Sequence, residues 1–285
     1  MSLVEDITKK SIKKKFDKNE KIKFLNKKYY CLDEVGRGGL SIVYEGLDIY
    51  SEYFKKKSNI VIKTPTKELL QKDDIAAFVY AEYRFLRRLN LDSIVKVIDF
   101  GIDKKSKIPY LVLEYIQGEL LSEISIANMT LKTKKHIFKS LIKTLNYIHS
   151  KNIIHADISP TNIIMNKENN PIIIDFGISQ DIKENEDISL EYKKVKALNP
   201  RYCAPELLEN EMKRPTIYSD IFSLGTILYE IYANKPLFEK TSKELFSLPI
   251  KKRDLSSIPF VLRNWFKNAL SVKPQKRKLT KIYFF

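Results

Sequence analysis

The sequence predicts an α+β fold, strand-rich in its first third and helical beyond residue 117. Three observations predict it. Between Tyr29 and Leu113, short runs of β-branched and aromatic residues read as strands, interrupted by one helical stretch. From Leu131 the apolar residues recur at three- and four-residue intervals instead. The chain has 285 residues and 44% hydrophobic content, enough for one large domain or two lobes with a substantial core.

Composition excludes several classes. No apolar run approaches the roughly 18 residues of a membrane span, and the N-terminus has no signal-peptide stretch, so a cytoplasmic location is expected. Cys31 and Cys203 lie far apart without metal-ligand spacing and read as reduced thiols. Three histidines are too few and too scattered for a zinc site. The net charge of +16 fits attraction to nucleic acid, an anionic membrane or acidic protein substrates. It fits better a lysine-rich composition spread over solvated faces, because no nucleic-acid-binding motif accompanies it.

Residues 1–28 hold ten lysines, with Leu3, Ile7, Ile12 and Phe16 spaced as on a thin helical stripe. They read as a basic leader packed loosely on the first lobe. Tyr30, Leu32 and Val35 then alternate as in a strand, Gly36-Arg37-Gly38-Gly39-Leu40-Ser41 breaks the pattern, and Ile42-Val43-Tyr44 resumes it. A glycine-rich turn between strands lets backbone N–H groups approach a phosphate chain closely. The segment Asp48–Asn59 reads as an exposed loop. Ile60-Val61-Ile62-Lys63 is a strand ending in a lysine. Asp73–Leu89 reads as a helix with Ala77, Ala81, Phe85 and Leu89 on one stripe, and it carries Glu82. Ile94–Phe100 and Tyr110–Leu113 complete five strands, and Leu131–Ser150 is a long helix with Ile137, Leu141, Leu145 and Ile148 inward. Ile178–Cys203 reads as too hydrophilic for core.

The chemistry gathers in Ile153-Ile154-His155-Ala156-Asp157-Ile158-Ser159-Pro160-Thr161-Asn162-Ile163-Ile164, followed by Ile172-Ile173-Ile174-Asp175-Phe176-Gly177. An Asp and an Asn five apart, with a second carboxylate close by, suit Mg²⁺ and a phosphate chain, because that cation takes hard oxygen donors. These runs resemble the H-R-D-x-x-x-x-N and D-F-G loops of the protein kinase family. The glycine turn resembles G-x-G-x-x-G-x-V with Ser41 at the third glycine, and Ile60–Lys63 resembles V-A-I-K. Pro200–Glu206 resembles R-Y-x-A-P-E, Tyr218–Gly225 resembles D-x-W-S-x-G, and Lys273–Arg277 resembles D-P-x-x-R. The resemblance spans roughly residues 30–280, with the motifs in family order.

A bilobal kinase fold is therefore implied: a small antiparallel lobe at 29–116 and a larger helical lobe at 117–285, after the leader. The resemblance implies ATP and Mg²⁺ as cofactors and protein substrates as partners. Lys63 would hold the α- and β-phosphates and Glu82 would orient it. Asn162 and Asp175 would ligate the metal, and Asp157 would orient the acceptor hydroxyl. Nucleotide contacts would come from Gly36, Gly38, Ser41, Val43, Val61, Leu113 as gatekeeper, the backbone of Glu114 and Ile116, and Ile164. Glu206 would pair with Arg277, and His155 would pack against Phe176.

Two positions depart from the family pattern. Ala156 replaces the Arg that pairs with an activation-segment phosphate, so phosphorylation at Ser179, Ser189 or Tyr192 has no obvious partner. Ser159 replaces a Lys that contacts the γ-phosphate, which would lower the rate or hand the role to a nearby lysine such as Lys196. His-Ala-Asp-Ile-Ser is also similar to the loop of RIO-type atypical kinases and of small-molecule kinases, families that lack the A-P-E segment. The leading expectation is a Ser/Thr protein kinase. Its alternatives are a small-molecule or atypical kinase and a nucleotide-binding pseudokinase scaffold.

Overall fold

The computed structural model describes residues 23–183, 198–209, 214–247 and 255–279, and these fall into two compact units. The first comprises the described residues up to Arg87 together with Lys96–Tyr115; the second comprises Arg88–Val95 and the described residues from Ile116 onward.

The first unit is a six-stranded antiparallel sheet with one main helix. Its strands are β1 (Lys23–Leu25), β2 (Tyr29–Arg37), β3 (Ser41–Asp48), β4 (Ile60–Pro65), β5 (Val97–Ile102) and β6 (Pro109–Glu114), in the order β1-β2-β3-β4-β6-β5. Helix α1 (Ile49–Tyr53) follows β3, and helix α2 (Ile75–Arg87) follows β4. Alternation sorts β4 between two faces. Ile60 and Ile62 enter an apolar cluster with Leu25, Tyr29, Cys31, Tyr110 and Val112. Val61 and Lys63 take the other face, opposite Leu113 and Leu111 on β6, and Val43 on β3 stands opposite Lys63.

Four sequence expectations change in this unit. The sheet gains β1, because Leu25 is buried in the core although it lies inside the lysine-rich leader. Asp48–Asn59 contains α1, capped by the Asp48 carboxylate accepting from Tyr50 N–H; Tyr50, Tyr53 and Phe54 are exposed as expected. The buried stripe of α2 runs through Ile75, Val79, Glu82, Phe85 and Leu86, and Ala77 and Ala81 lie off it. Finally, the apolar run expected as one strand at Ile94–Phe100 divides. β5 begins at Val97, while Ile94 bridges to Ile173 within the second unit.

The second unit is mostly helical. β7 (Gly118–Leu120) joins β9 (Ile163–Asn166) and β10 (Pro171–Ile173) in a small sheet, and β8 (Ile153–Ile154) pairs with β11 (Gln180–Asp181). The helices are α3 (Leu131–Ser150), α4 (Pro205–Glu209), α5 (Ile217–Ala233), α6 (Glu244–Ser247) and α7 (Phe260–Ala269). Helix α3 starts where the Thr130 hydroxyl accepts from Thr133 N–H, and Ile137, Leu141, Leu145 and Ile148 are its buried stripe. Helix α5 is buried almost all round, as a core helix must be apolar all round, and Thr216 and Ser219 close a capping box at its start.

Ile178–Cys203 departs from expectation at both described ends. Ile178 and Ser179 are buried near one end, and Tyr202 and Cys203 at the other. Ser189, Tyr192 and Lys196 lie outside the described residues.

Candidate active site

The first unit builds one half of the expected constellation around an ion pair. Lys63 Nζ donates to Glu82 Oε1 at 2.7 Å and to Oε2 at 3.0 Å. Lys63 is 8% exposed and Glu82 3%, so each charge is stable there only because it has its partner. Glu82 is the one carboxylate on the buried stripe of α2, which explains why that stripe is not wholly apolar. Val43, Val61 and Leu113 stand on the same face of the sheet as Lys63.

The glycine turn beside them is open. Gly38 N–H donates to Ser41 C=O at 2.8 Å, closing the turn. No glycine in the described residues has a positive φ, and a Cβ on Gly36 or Gly38 would meet nothing nearer than 3.9 Å. On Gly39 it would meet nothing within 4 Å. These glycines are therefore not required by the fold of the turn; what they leave is bare backbone where a phosphate can approach. Ser41 opens β3 opposite Pro65, and Gly36 pairs with Val43. Glu114 N–H donates to Lys96 C=O at 3.0 Å and its side chain accepts from Lys96 N–H at 2.8 Å, so the Glu114 N–H is already committed.

The second unit assembles the polar triad. Asn162 Nδ2 donates to Asp157 C=O at 2.9 Å and to Asp157 Oδ2 at 2.7 Å. With both amide hydrogens committed, the Asn162 side chain presents its carbonyl oxygen as a donor for a cation. Ile174 N–H donates to Asn162 C=O at 3.1 Å, which brings Asp175, the next residue, alongside Asn162. Asp175 Oδ1 accepts from Gly177 N–H at 2.8 Å, fixing the carboxylate. Asp157, Asn162 and Asp175 are each half-buried, and the residues that follow them, Ile158, Ile163 and Phe176, are buried. Ile164 is half-buried opposite Ile172 and Leu120. Ile116 opens the unit, half-buried.

No cluster of three or more His, Cys, Asp or Glu side chains among the described residues could hold a metal alone. An Asn oxygen and one carboxylate suit Mg²⁺, which keeps waters and takes further oxygens from phosphates.

The loop is held from beneath by residues that motif reading does not assign to this task. Asp220 on α5 accepts from His155 N–H and Ala156 N–H, both at 2.9 Å, and His149 Nε2 lies 2.8 Å from its Oδ2. Ala156 has φ 70°, a left-handed conformation an L-residue adopts at a cost, and the two bonds to Asp220 hold it there. The His155 ring packs on Phe176 at 4.7 Å between centroids. Ser159 is 1% exposed with its hydroxyl 2.8 Å from Thr161 Oγ1, so it faces inward. Ser179 Oγ donates to His155 C=O at 3.1 Å and is buried, which removes it from the accessible phosphorylation sites. Farther along, Arg277 Nη1 and Nη2 donate to the Glu206 carboxylate at 2.6 and 2.9 Å, with the guanidinium 4.8 Å above the Phe222 ring.

A family model described as the protein kinase domain matches residues 29–280. The chain belongs to the protein kinase family. Among curated relatives, the kinase chain is 29% identical to serine/threonine-protein kinase TIO of Arabidopsis thaliana, over 87% of this chain and 18% of that protein. It is 28% identical to serine/threonine-protein kinase PKH2 of Candida albicans, over 88% of this chain and 27% of that protein. It is 29% identical to serine/threonine-protein kinase ppk34 of Schizosaccharomyces pombe, over 89% of this chain and 80% of that protein. The chain thus spans under a third of the length of the first two. No helix among the described residues is long and apolar enough to cross a membrane.

Proposed function

We propose that this chain is an ATP- and Mg²⁺-dependent protein kinase that phosphorylates Ser or Thr and does not depend on phosphorylation of its activation segment. The observation that carries this reading is the Asp157–Asn162–Asp175 cluster, in which one amide clamps the first carboxylate and presents oxygen beside the second. In a scaffold that only bound nucleotide, Asp157 would serve only to hold Asn162.

Bound ATP supplies the phosphoryl group, and Mg²⁺ spreads the charge that develops on it. Asn162 and Asp175 would hold the metal, and Lys63, oriented by Glu82, would hold the α- and β-phosphates. The bare backbone of residues 36–41 would cover the phosphate chain. Asp157 would accept the hydrogen bond of the acceptor hydroxyl and orient it for attack. The buried Arg277–Glu206 pair supports a protein acceptor, because it anchors the A-P-E segment expected to present a peptide. The names of the relatives above support Ser/Thr.

Independence from activation-segment phosphate rests on Ala156. Its methyl group is buried and carries no charge, so it cannot pair with a phosphate. Ser159, buried and uncharged, is no substitute for a γ-phosphate lysine.

The test is transfer of labelled γ-phosphate to a Ser/Thr protein acceptor with Mg²⁺, followed by identification of the phosphorylated residue type. Wild type is expected to label Ser or Thr, and Asp157→Asn to lower kcat by about 10²-fold or more. Label on a metabolite alone would favour a small-molecule kinase. Stabilisation by nucleotide without any transfer would favour the scaffold.

A further inference from the structure

Three loops of the first unit are tied into one surface that the phosphoryl-transfer reading does not use. The β1–β2 turn joins the other two. Asn26 N–H donates to Asp103 Oδ1 at 2.8 Å and Lys104 N–H donates to Asn26 Oδ1 at 2.9 Å, which fixes the turn to the β5–β6 loop, residues 103–108. Ile49 N–H donates to Lys28 C=O at 3.1 Å, which fixes the same turn to α1. Asp48 N–H donates to Ser58 Oγ at 3.0 Å, closing the loop that leaves α1. Tyr29 and Asp48, paired across β2 and β3, stand at the far end of both strands from the glycine turn, about 23 Å along β3.

The surface is basic because its acids are committed or turned inward. Lys27 on the turn, Lys55, Lys56 and Lys57 after α1, and Lys104, Lys105 and Lys107 on the β5–β6 loop are all exposed. Asp103 is 6% exposed and accepts from Asn26 N–H, Ser106 N–H and the Ser106 hydroxyl. Asp48 caps α1, and Glu52 is half-buried. Lys27, Lys55 and Lys107, one on each loop, have φ of 56°, 54° and 60°. Glycine would hold that left-handed backbone without the steric cost, so each loop keeps a lysine where glycine would suit its own fold better.

Aromatic side chains rise from the same surface. Tyr50, Tyr53 and Phe54 fall at i, i+3 and i+4 along α1 and its C-terminal cap, which places them on one face of the helix. They are 50%, 45% and 66% exposed, while Ile49 is buried and anchors the helix to the sheet. The Tyr53 and Phe54 rings meet edge to face at 4.9 Å between centroids, so they form one apolar tip beside residues 55–57.

We propose that this surface docks on an anionic lipid bilayer, its lysines meeting acidic headgroups while Tyr53 and Phe54 enter the boundary between headgroups and acyl chains. The sign of the partner follows from the charge. Its class follows from residue type. The three loops expose seven lysines and hold no arginine. Arginine's planar fork reads the fixed phosphate or carboxylate geometry of nucleic acids and peptides, whereas lysine's point charge suits a diffuse sheet of headgroups. Exposed phenylalanine flanked by tyrosine and lysine is the composition that settles at a bilayer interface. The proposal does not depend on catalysis.

The experiment is co-sedimentation of the full chain with phosphatidylcholine vesicles, with and without about a quarter phosphatidylserine. Wild type is expected to bind the anionic vesicles alone, and more weakly as salt rises. The triple variant Lys27→Gln/Lys55→Gln/Lys107→Gln should weaken binding about 100-fold, at about fivefold for each lysine near a charged surface. Lys132→Gln/Lys143→Gln/Lys167→Gln removes three exposed lysines from the second unit instead, and should change binding by less than about twofold. Phe54→Ser, which leaves the charge alone, should weaken it about tenfold. Urea unfolding confirms that each variant is folded, and residues 1–22 are the same in all of them. Equal binding to neutral and anionic vesicles, equal losses in the two triple variants, or full binding by folded Phe54→Ser or by the loop variant would overturn the proposal. So would tighter binding to single-stranded DNA or polyglutamate than to vesicles, lost in the loop variant, which would give the surface to a nucleic acid or an acidic protein.

Discussion

Asp220 is the residue on which the catalytic loop rests. It is 1% exposed and satisfies two backbone N–H groups that otherwise have no water to turn to. Asp220→Ala should cost about 2–5 kcal/mol in urea unfolding, the penalty for stranding buried donors, and should also lower kcat by releasing the residue before Asp157. Ala156→Gly, by contrast, removes the left-handed strain while loosening the unfolded chain, so stability should stay within about 1 kcal/mol. Cys203 yields a chemical expectation. A thiol held near 12 by burial and by two neighbouring carboxylates carries almost no thiolate at pH 8. Iodoacetamide should label Cys203 only in denaturant, as peptide mass spectrometry would show; rapid labelling of folded protein would contradict its burial. Asp157, Asn162 and Asp175 were legible in the sequence because motif spacing encodes them. The support from Asp220 was not, because its contacts join residues far apart in the chain and depend on α5 being buried.

At the scale of elements, the glycines separate into two kinds. Gly38 and Gly39 face open space, whereas a Cβ on Gly118 would come within 2.2 Å of Met165 C=O and one on Gly101 within 2.4 Å of the Tyr110 hydroxyl. Gly39→Ala should leave stability unchanged or raised by about 0.4–1 kcal/mol while weakening ATP binding, and Gly118→Ala should destabilise the β7–β9 pairing. Parallel thermal melts and nucleotide titrations would check both. The ion pair joining α4 to Arg277 belongs to this scale too. Arg277 is fully buried, so Arg277→Ala leaves Glu206 charged and stranded, a loss of about 3–5 kcal/mol. Periodicity revealed α3 to its bounds, because a long amphipathic helix repeats its signal many times. It missed β1 and α1, since three and five residues are too short for a period to show and lysines surround both. It misplaced the stripe of α2 because the buried Glu82 reads as a surface residue until Lys63 is opposite it.

For the molecule as a whole, family and fold class were legible, because ordered motifs carry them. The charge of +16 was not interpretable alone. Nucleotide binding should register globally: at about 100 times its Kd, Mg²⁺-ATP should add about 2.7 kcal/mol to stability, and Lys63→Met should reduce that gain at equal concentration. The most direct measurement is the initial rate of phosphate transfer to a Ser/Thr acceptor by protein first stripped of phosphate and verified by intact mass. Transfer should begin without a lag, place phosphate on Ser or Thr, and disappear with Asp157→Asn. Absence of transfer, or transfer that starts only after the activation segment becomes phosphorylated, would contradict it.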